Sequence, residues 1–212
     1  MNNEPKDTVD TAPEPPAETS EAPNARLKKR LGDLIENFEV IVFSVIAVIL
    51  IFAMGVRICF VSGDSMNQTL QNNDWVIVSG IGYEPQRGDI VVFHMTSDKY
   101  PKLNEPMVKR VIAVAGDWID IDFKTWTLRI ADNKEMENAT VVDEPYRYLE
   151  GGLLTSSFTY PLEIPEGYIF VMGDNRNNSL DSRDSARIGL VDTRRVLGKV
   201  IMRVYPFKSI EN

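Results

Sequence analysis

Apolar and polar positions divide the chain into three stretches. Residues 1–25 carry many Pro, Glu, Ala and Thr residues and almost no large apolar ones. Such a segment cannot offset the entropy cost of ordering and is predicted to be disordered. Residues 40–56 then run without a charge, and from residue 62 onward short β-branched runs alternate with Gly and Pro. This order predicts a polar tail, one apolar helix and a β-rich domain.

The uncharged run at residues 40–56 has the length of a membrane span. At about 1.5 Å per residue, a helix over this run reaches about 25 Å, close to the thickness of the hydrocarbon core of a bilayer. Residues 58–61 continue the apolar character past Arg57, whose guanidinium can reach the interface by snorkelling. A basic cluster at residues 26–30 lies on the N-terminal side. The positive-inside rule therefore predicts a cytoplasmic N-terminus and an extracytoplasmic C-terminal part.

A cleaved secretory signal is the alternative interpretation of this segment. The apolar part of a signal peptide is usually about 7–15 residues long and ends in small residues. This run is longer and continues into Ile58, Cys59 and Phe60, so an uncleaved anchor is favoured. Cys59 could carry a lipid, but the bulky Ile58 before it argues against a lipoprotein signal. A small apolar residue at the membrane edge is the simpler interpretation of Cys59.

Short runs after residue 62 have the β-branched and aromatic composition of strands. They lie at residues 75–78, 89–93, 107–115, 118–121, 126–130, 168–172 and 200–205. No amphipathic helix of four turns interrupts them, so the fold class is predicted to be mostly β. The stretch at residues 123–165 is more polar and less regular, and it is predicted to be a hairpin and loop insertion on the main sheet.

Charge and composition exclude several function classes. The formal net charge is -8, and the chain lacks the basic face of a nucleic-acid-binding protein. The single cysteine, Cys59, cannot form an internal disulfide, and the single histidine, His94, makes a structural zinc site improbable. The dinucleotide, P-loop and zinc-protease motifs GxGxxG, GxxxxGK(S/T) and HExxH are absent. We therefore expect no metal, no cofactor and no nucleic-acid partner.

Ser65 is a candidate nucleophile in the sequence SGDSM, residues 62–66, which follows the apolar segment directly. A serine hydroxyl is a weak nucleophile until a neighbouring base takes its proton. The usual base is histidine, and His94 stands at the end of an apolar run. A histidine in such a place is more often structural than catalytic.

Lys109 is the other candidate base. By strand alternation it shares a face with Met107, Val111, Ala113 and Ala115. Two interpretations remain open from this stretch alone. On an edge strand, the amine would snorkel to water. A buried amine would instead have its pKa lowered by several units and could accept the proton of a serine, as in known Ser/Lys pairs.

A third segment, GDNRNNSLDSR at residues 173–183, follows the strand predicted at residues 168–172. A run rich in Gly, Asn and Asp is usually a surface turn. This run is unusually dense in side chains that form hydrogen bonds. Asp181 and Arg183 could pair and stiffen it, and Ser179 could hydrogen-bond to an amine and orient it.

Four sequence boxes resemble those of bacterial type I signal peptidases. They are SGDSM (62–66), RGDIVVF (87–93), VKRVIAVAGD (108–117) and GDNRNNSLDSR (173–183), in the family's order behind an N-terminal apolar segment. Together the boxes span most of residues 62–205. The resemblance implies a mostly β fold with a catalytic core and a variable insertion.

The resemblance also implies a role for each matching residue. Ser65 corresponds to the nucleophile and Lys109 to the general base of a Ser/Lys dyad. Supporting roles near the dyad fall on Ser179, which would position the lysine amine, and on Asp181, Arg183, Asp174 and Arg110.

One departure from the family pattern concerns the oxyanion. Some members carry a serine two positions before the nucleophile, and its hydroxyl helps to stabilise the oxyanion. Here that position is Gly63, as in the Gram-positive-like branch. The main-chain N–H of Ser65 is therefore expected to bear more of this task. One missing donor can lower the rate by about 10²–10³-fold.

The resemblance thus implies a membrane-anchored serine endopeptidase that removes signal peptides after Ala-x-Ala sites through an acyl-enzyme. The implied partners are signal-peptide-bearing preproteins, membrane lipid and the secretion translocon. We expect a single-pass protein of the cell membrane. Its expected parts are a disordered cytoplasmic tail with the basic cluster (1–30), a transmembrane anchor (31–61) and an extracytoplasmic catalytic domain (62–212) that contains the insertion (123–165).

Two other classes fit parts of the pattern. A self-cleaving Ser/Lys protease of the repressor type would need a DNA-binding segment, and residues 1–60 supply a tail and an anchor instead. A non-enzymatic surface module carried by one helix would give no reason to combine Ser65 with Lys109.

Overall fold

The computed structural model of this chain describes residues 23–53, 55–150 and 155–206. It begins with helix α1 at Pro23–Ala53. The start at Pro23 lies inside the segment assigned from sequence to a disordered tail, because the proline ring fixes a helical φ and good helix formers follow it. The rest of that predicted tail, residues 1–22, lies outside the described residues. The chain divides into two compact units, with the division after Val48.

Among the described residues, no helix combines the length and the mean hydropathy required of a membrane span.

The segment after α1 differs from the prediction of an anchor that reaches residue 61. Val56–Phe60 form strand β1, which pairs antiparallel with strand β2 at Trp75–Ser79. The prediction was wrong for these residues because a short apolar run fits a strand as well as a helix end. The backbone N–H and C=O groups of β1 are satisfied by β2 instead of by a helix.

The larger sheet has seven strands in the order β1-β2-β11-β3-β4-β9-β10. Besides β1 and β2, its members are β3 (Ile90–His94), β4 (Pro106–Ala113), β9 (Tyr168–Met172), β10 (Val191–Asp192) and β11 (Val196–Tyr205). All of the pairs in this sheet are antiparallel. Two short 3₁₀ helices, Pro101–Leu103 and Thr193–Arg195, lie in the connections.

The smaller sheet has four strands in the order β7-β6-β5-β8. They are β5 (Trp118–Asp122), β6 (Thr127–Ala131), β7 (Thr140–Val141) and β8 (Leu162–Glu163). This sheet starts five residues before the predicted insertion at 123–165, and it is a separate sheet rather than a hairpin on the main one. A cluster that includes Ile119, Ile130 and Phe170 packs it against the larger sheet.

The mostly β prediction is confirmed, and each predicted strand is present, with the same ends for β9 and shifted ends for the others. The structure decides between the two interpretations of Lys109. Strand β4, which carries Lys109, lies between β3 and β9, although β9 pairs with it only from Arg110 onward. The Lys109 side chain is 4% exposed, so its amine is buried and does not snorkel to water.

Candidate active site

Ser65 lies in a turn between β1 and β2, and apolar packing of the residues that follow it holds this turn in place. Met66 and Leu70 are fully buried against Val76 and Val92. The N–H of Leu70 donates to the Met66 carbonyl over 2.9 Å, which closes one helical turn directly after Ser65. Burial of each of these side chains contributes about 1.5–3 kcal/mol, so the backbone at Ser65 is held firmly.

Asn175 also holds this turn in place through two hydrogen bonds. The main-chain N–H of Asn175 donates to the Ser65 carbonyl over 3.0 Å. The Asn175 side-chain Nδ2 donates to the Asp64 carbonyl over 3.1 Å. The two residues are far apart in sequence, and these bonds join the Ser65 turn to the segment after β9.

Lys109 meets Ser65 from the middle of the sheet. Its side chain is buried, with 4% exposure, and Nζ donates to Ser65 Oγ over 2.9 Å. Nζ also donates to the carbonyl of Val108 over 2.9 Å. Neither partner is a carboxylate, so no ion pair compensates the charge of this amine directly.

Burial lowers the pKa of Lys109 to about 8, and the more distant carboxylates Asp181 and Asp174 oppose this effect. Desolvation penalises the ammonium form, whereas nearby negative charge favours it. A substantial share of Lys109 is therefore neutral slightly above neutral pH. A neutral amine within hydrogen-bonding distance of a hydroxyl is able to act as a base toward it.

Behind the dyad, Arg110 and Asp174 form a buried ion pair. Arg110 Nη2 donates to Asp174 Oδ2 over 2.8 Å, and the two side chains are 1% and 0% exposed. Arg110 Nε donates to the other carboxylate oxygen, and Thr69 Oγ1 donates to Oδ2 over 2.5 Å. Thr69 follows the Ser65 turn, so this pair connects that turn, strand β4 and the loop after β9.

A second buried ion pair joins Asp181 to Arg183. Arg183 donates from Nε and from Nη2 to the two oxygens of Asp181, over 2.8 Å in each case. The N–H of Gly173 also donates to Asp181, over 3.0 Å, which draws the two ends of the loop together. Burial would raise the pKa of Asp181, but the bonds from Arg183 and Gly173 hold it below the usual value.

Ser179 lies against Gly173 in this loop. A Cβ on Gly173 would collide with Ser179 Oγ and with the Ser65 carbonyl oxygen, so both groups lie close to that glycine. Ser179 Oγ is buried and makes no hydrogen bond of regular geometry within the described residues, but it lies near the Asp181 carboxylate and helps to lower the pKa of that group. The predicted bond between Ser179 and the Lys109 amine is thus not formed here, although the hydroxyl lies near the site.

A cleft with polar and apolar walls opens beside the dyad. It has a volume of about 170 Å³. Its lining consists of Cys59, Phe60, Val61, Ser62, Ser65, Val76, Val92, Glu105, Pro106, Met107, Val108 and Lys109. Residues from the end of β1 form one wall and residues from the start of β4 form the other. His94, the other candidate base, is absent from this lining.

Residues 34–205 match the family model described as signal peptidase, peptidase S26. The chain belongs to this family. The match covers most of the chain, including both residues of the Ser65–Lys109 pair.

Curated relatives agree with this assignment. The chain is 32% identical over 197 residues to signal peptidase IB of Staphylococcus aureus (strain Mu50), which covers 84% of this chain and 94% of the relative. It is 31% identical over 202 residues to signal peptidase I of Leptolyngbya laminosa, covering 92% and 90%. A solved signal peptidase I from Enterococcus faecalis V583 is 28% identical, covers 56% of this chain and 97% of its own, and has a TM-score of 0.41.

The chain is therefore a bacterial type I signal peptidase and a serine endopeptidase. The resemblance of the four boxes is confirmed. The non-enzymatic surface module is excluded by this membership, and so is the repressor-type protease.

Several residues of this signal peptidase's site were not found from the sequence. Thr69, Asn175 and Gly173 each contact the dyad turn or its supporting pair. Glu144 and Tyr146, from the segment between β7 and β8, contact Arg176 and Arg110. No local sequence pattern marks Glu144 and Tyr146 as parts of the site, because their partners Arg176 and Arg110 lie more than thirty positions away. The glycine and asparagine lie in the GDNRNNSLDSR box, whose density of hydrogen-bonding groups was a usable signal.

Proposed function

We propose that this signal peptidase removes signal peptides from exported preproteins by a Ser65–Lys109 dyad, cutting after Ala-x-Ala sites through an acyl-enzyme. The observation that carries the proposal is the 2.9 Å separation between Ser65 Oγ and the buried Lys109 Nζ. A lysine with lowered pKa beside a serine fits the chemistry of a Ser/Lys pair.

In the proposed reaction, neutral Lys109 accepts the proton of Ser65 while Oγ attacks the carbonyl carbon of the scissile bond. The C–N bond then breaks, and the protonated amine of Lys109 gives its proton to the leaving amino group of the mature protein. Water attacks the ester in the second half of the reaction, with its proton going to the same amine. The signal peptide leaves with a new carboxylate, and Ser65 regains its proton.

The oxyanion is assigned to the main-chain N–H of Ser65. Within the described part of the chain, this N–H donates no hydrogen bond, so it is free for a substrate oxygen. Gly63 supplies no side-chain donor, and its φ of 92° is one that other residues adopt only with strain. Replacement of Gly63 by serine therefore could not add a donor without strain.

The substrate is proposed to bind as an extended strand in the cleft beside the dyad. Strand β9 pairs with β4 only from Arg110 onward, which leaves the first half of β4 with one unpaired edge. Main-chain groups along that edge can pair with a peptide, as in β-strand addition. The preference for Ala-x-Ala sites is proposed from the family membership.

The supporting roles are proposed as follows. Asp174 with Arg110, and Asp181 with Arg183, hold the loop after β9 against the dyad through their buried ion pairs. Ser179 is proposed to bond to the Lys109 amine when substrate is bound. Its buried hydroxyl makes no hydrogen bond of regular geometry and lies beside Gly173, close to the Ser65 turn, which supports this role.

Membrane anchoring and an extracytoplasmic catalytic domain are part of the proposal. The uncharged run at residues 40–56, preceded by the basic cluster, supports them. Large apolar side chains of α1 are exposed as well, for example Phe38 (66%) and Phe43 (69%). Apolar side chains on all sides of a helix fit lipid better than water. The translocon is proposed as a neighbour in the membrane, where preproteins emerge.

An exposed aromatic row gives the catalytic domain its own means of contacting lipid. Phe60, Trp75 and Tyr205 are each about half exposed or more, and they lie side by side because Trp75 is the register partner of the other two. Phe60 and Trp75 meet edge to face at 5.9 Å. Aromatic side chains are favoured at the bilayer interface, so this row is proposed to rest on the lipid surface beside the cleft.

Two variants test the dyad. The full chain in detergent is given a presequence with an Ala-x-Ala site, and cleavage is followed by gel and mass spectrometry. Ser65→Ala and Lys109→Ala should each abolish detectable cleavage, whereas Lys134→Ala, an exposed lysine, should cleave at the parent rate. If both dyad variants keep the parent rate, the dyad assignment is wrong.

Anchoring has a separate test. The full chain should stay with membranes after alkaline carbonate extraction, and protease added outside intact spheroplasts should digest the catalytic domain. Release by carbonate would contradict a spanning helix, and protection of the domain would contradict the proposed orientation.

A further inference from the structure

An aromatic residue outside the four boxes covers the first of the two buried ion pairs. The ring of Tyr146 lies over the guanidinium of Arg110, with 3.7 Å from Cζ to the ring centroid. Arg110 is 1% exposed, so this contact is shielded from water. A cation shielded from water is attracted to the face of a ring, and Tyr146 therefore covers a side of Arg110 that Asp174 does not occupy.

The segment that carries Tyr146 is attached firmly to the loop after β9. The N–H of Tyr148 donates to the Asp174 carbonyl over 2.8 Å, and the N–H of Arg176 donates to the Tyr148 carbonyl over 3.0 Å. Glu144 and Arg176, both buried, form a bidentate ion pair. The tyrosine is thus presented to Arg110 by a rigid segment rather than by a loose loop.

A second aromatic residue stands near the other ion pair. The ring of Trp126 lies 5.8 Å from the guanidinium Cζ of Arg183, and Trp126 is 6% exposed. Arg147 Nη1 donates to the Trp126 carbonyl over 2.5 Å, which ties Trp126 to the Tyr146 segment. Each arginine of the two ion pairs behind the dyad therefore has an aromatic neighbour from the region around the smaller sheet.

We propose that Tyr146 and Trp126 are positioning residues for the proposed reaction: they hold Arg110 and Arg183 against Asp174 and Asp181, so that these carboxylates stay neutralised and Lys109 remains usable as a base. The inference rests on the proposed role of Lys109. Neither aromatic residue lines the cleft. Both act through the arginines.

Charged groups around Lys109 connect the two ion pairs to the proton affinity of its amine. Asp181 and Asp174, from the loop after β9, both favour its ammonium form. Their partners Arg183 and Arg110 counter that influence, and Glu105 lies at the other end of the cleft. If a ring is removed, water reaches the guanidinium and the ion pair loosens. The carboxylate then acts more strongly on the amine and raises its pKa.

The test compares two substitutions of Tyr146 in the full chain in detergent. Tyr146→Met fills the space without a ring face, and Tyr146→Phe keeps the ring and removes the hydroxyl. The pH dependence of kcat/KM is measured on one presequence. In the parent, kcat/KM should rise with pH as Lys109 loses its proton, and this part of the profile is the rising limb. For Tyr146→Met the rising limb should lie about 0.5 pH unit higher. At pH values on the limb kcat/KM should then be about threefold lower than in the parent, and on the plateau at higher pH it should be equal. Tyr146→Phe should keep the parent limb.

A purely structural role predicts a different result. If Tyr146→Met lowers kcat/KM by the same factor at every pH, the positioning role is wrong. Trp126→Met, with Trp126→Phe as its control, repeats the measurement at the second ion pair and should shift the limb in the same direction. If neither methionine variant folds, as judged by circular dichroism, the rings are needed only for folding and the inference is also overturned.

The parent enzyme separates this inference from the proposed function. A parent with no rising limb, or one whose limb does not depend on Lys109, would contradict the dyad itself. A parent that shows the limb, combined with methionine variants that do not shift it, would contradict only the positioning role.

Discussion

Lys109 and Arg110 are neighbours on strand β4, and their environments are opposite. Both are buried, with 4% and 1% exposure. Lys109 points to one side, where its partners are the Ser65 hydroxyl and the Val108 carbonyl. Arg110 points to the other side, where Asp174 accepts two hydrogen bonds and Tyr146 covers the guanidinium.

The difference shows how one strand can carry a reactive and a structural cation side by side. Burial without a counter-charge destabilises the protonated form, so Lys109 can lose its proton near neutral pH. Burial with a bidentate carboxylate keeps Arg110 charged and fixed in place. The alternation of side chains across the sheet separates the two environments within a single residue step.

The strongest test of this comparison is Lys109→Met. Cleavage should fall by about 10³–10⁴-fold or more, because the base is lost. The free energy of unfolding should rise by about 1–3 kcal/mol at pH 7, since an apolar side chain replaces an amine that is costly to bury charged. Presequence cleavage and urea denaturation measure the two effects, with Lys134→Met as the exposed control.

The pH dependence of stability gives a second test of Lys109→Met. The pKa of Lys109 is about 8 in the folded chain and near 10.5 when exposed, so the unfolded state holds more protons between these values. Parent stability should therefore rise across this interval, and the advantage of Lys109→Met should shrink. An advantage that stays constant from pH 7 to 10 would contradict the buried-amine explanation.

Removing the counter-charge of Arg110, on the other side of β4, should lower stability, whereas removing the amine of Lys109 should raise it. Asp174→Asn should lower the free energy of unfolding by about 3–5 kcal/mol, because it leaves a buried guanidinium without its counter-charge. Replacing both partners, as in Arg110→Met with Asp174→Leu, should cost less than Asp174→Asn alone. Urea unfolding of the parent, the single variant and the double variant measures this. If Asp174→Asn lowers the free energy of unfolding by less than about 1 kcal/mol, the proposed contrast between the environments of Lys109 and Arg110 is wrong.

Gly173 links the two regions, and Gly173→Ala should disturb both. The added methyl group would collide with Ser179 and with the Ser65 carbonyl oxygen. The backbone must shift, which should cost about 1–3 kcal/mol in stability and about 10²-fold in kcat/KM. Gly32→Ala, where a methyl group meets nothing within 4 Å, is the control. A Gly173→Ala enzyme with parent activity would show that the two regions are not coupled at this point.

The last prediction concerns the pH dependence of the parent enzyme, which needs no variant. Since only neutral Lys109 can accept the serine proton, kcat/KM should rise about tenfold per pH unit below about 8 and level off above it. Steady-state cleavage between pH 6 and 9.5 measures the profile. A flat profile over this range would contradict a titrating lysine base.

The sequence predicted the local structure of the β domain well, because strand composition and turn residues act over a few positions. The runs that became β2, β3 and β9 were found with ends within one residue. It failed at β1, where an apolar segment after a longer apolar segment carries no signal that distinguishes strand from helix. It also left open whether β4 lies at an edge, since the identity of strand neighbours depends on contacts between distant segments.

For the site, the boxes identified Ser65 and Lys109, and the chemistry of a hydroxyl beside an amine explains their pairing. Tertiary structure alone decided that these two residues, 44 positions apart, meet at 2.9 Å, and that Lys109 lies on an inner strand. It also decided that Tyr146 covers Arg110. Residue types and their periodicity are local properties of a sequence. Burial, and with it the pKa of an amine, is set by which distant segments exclude water from it.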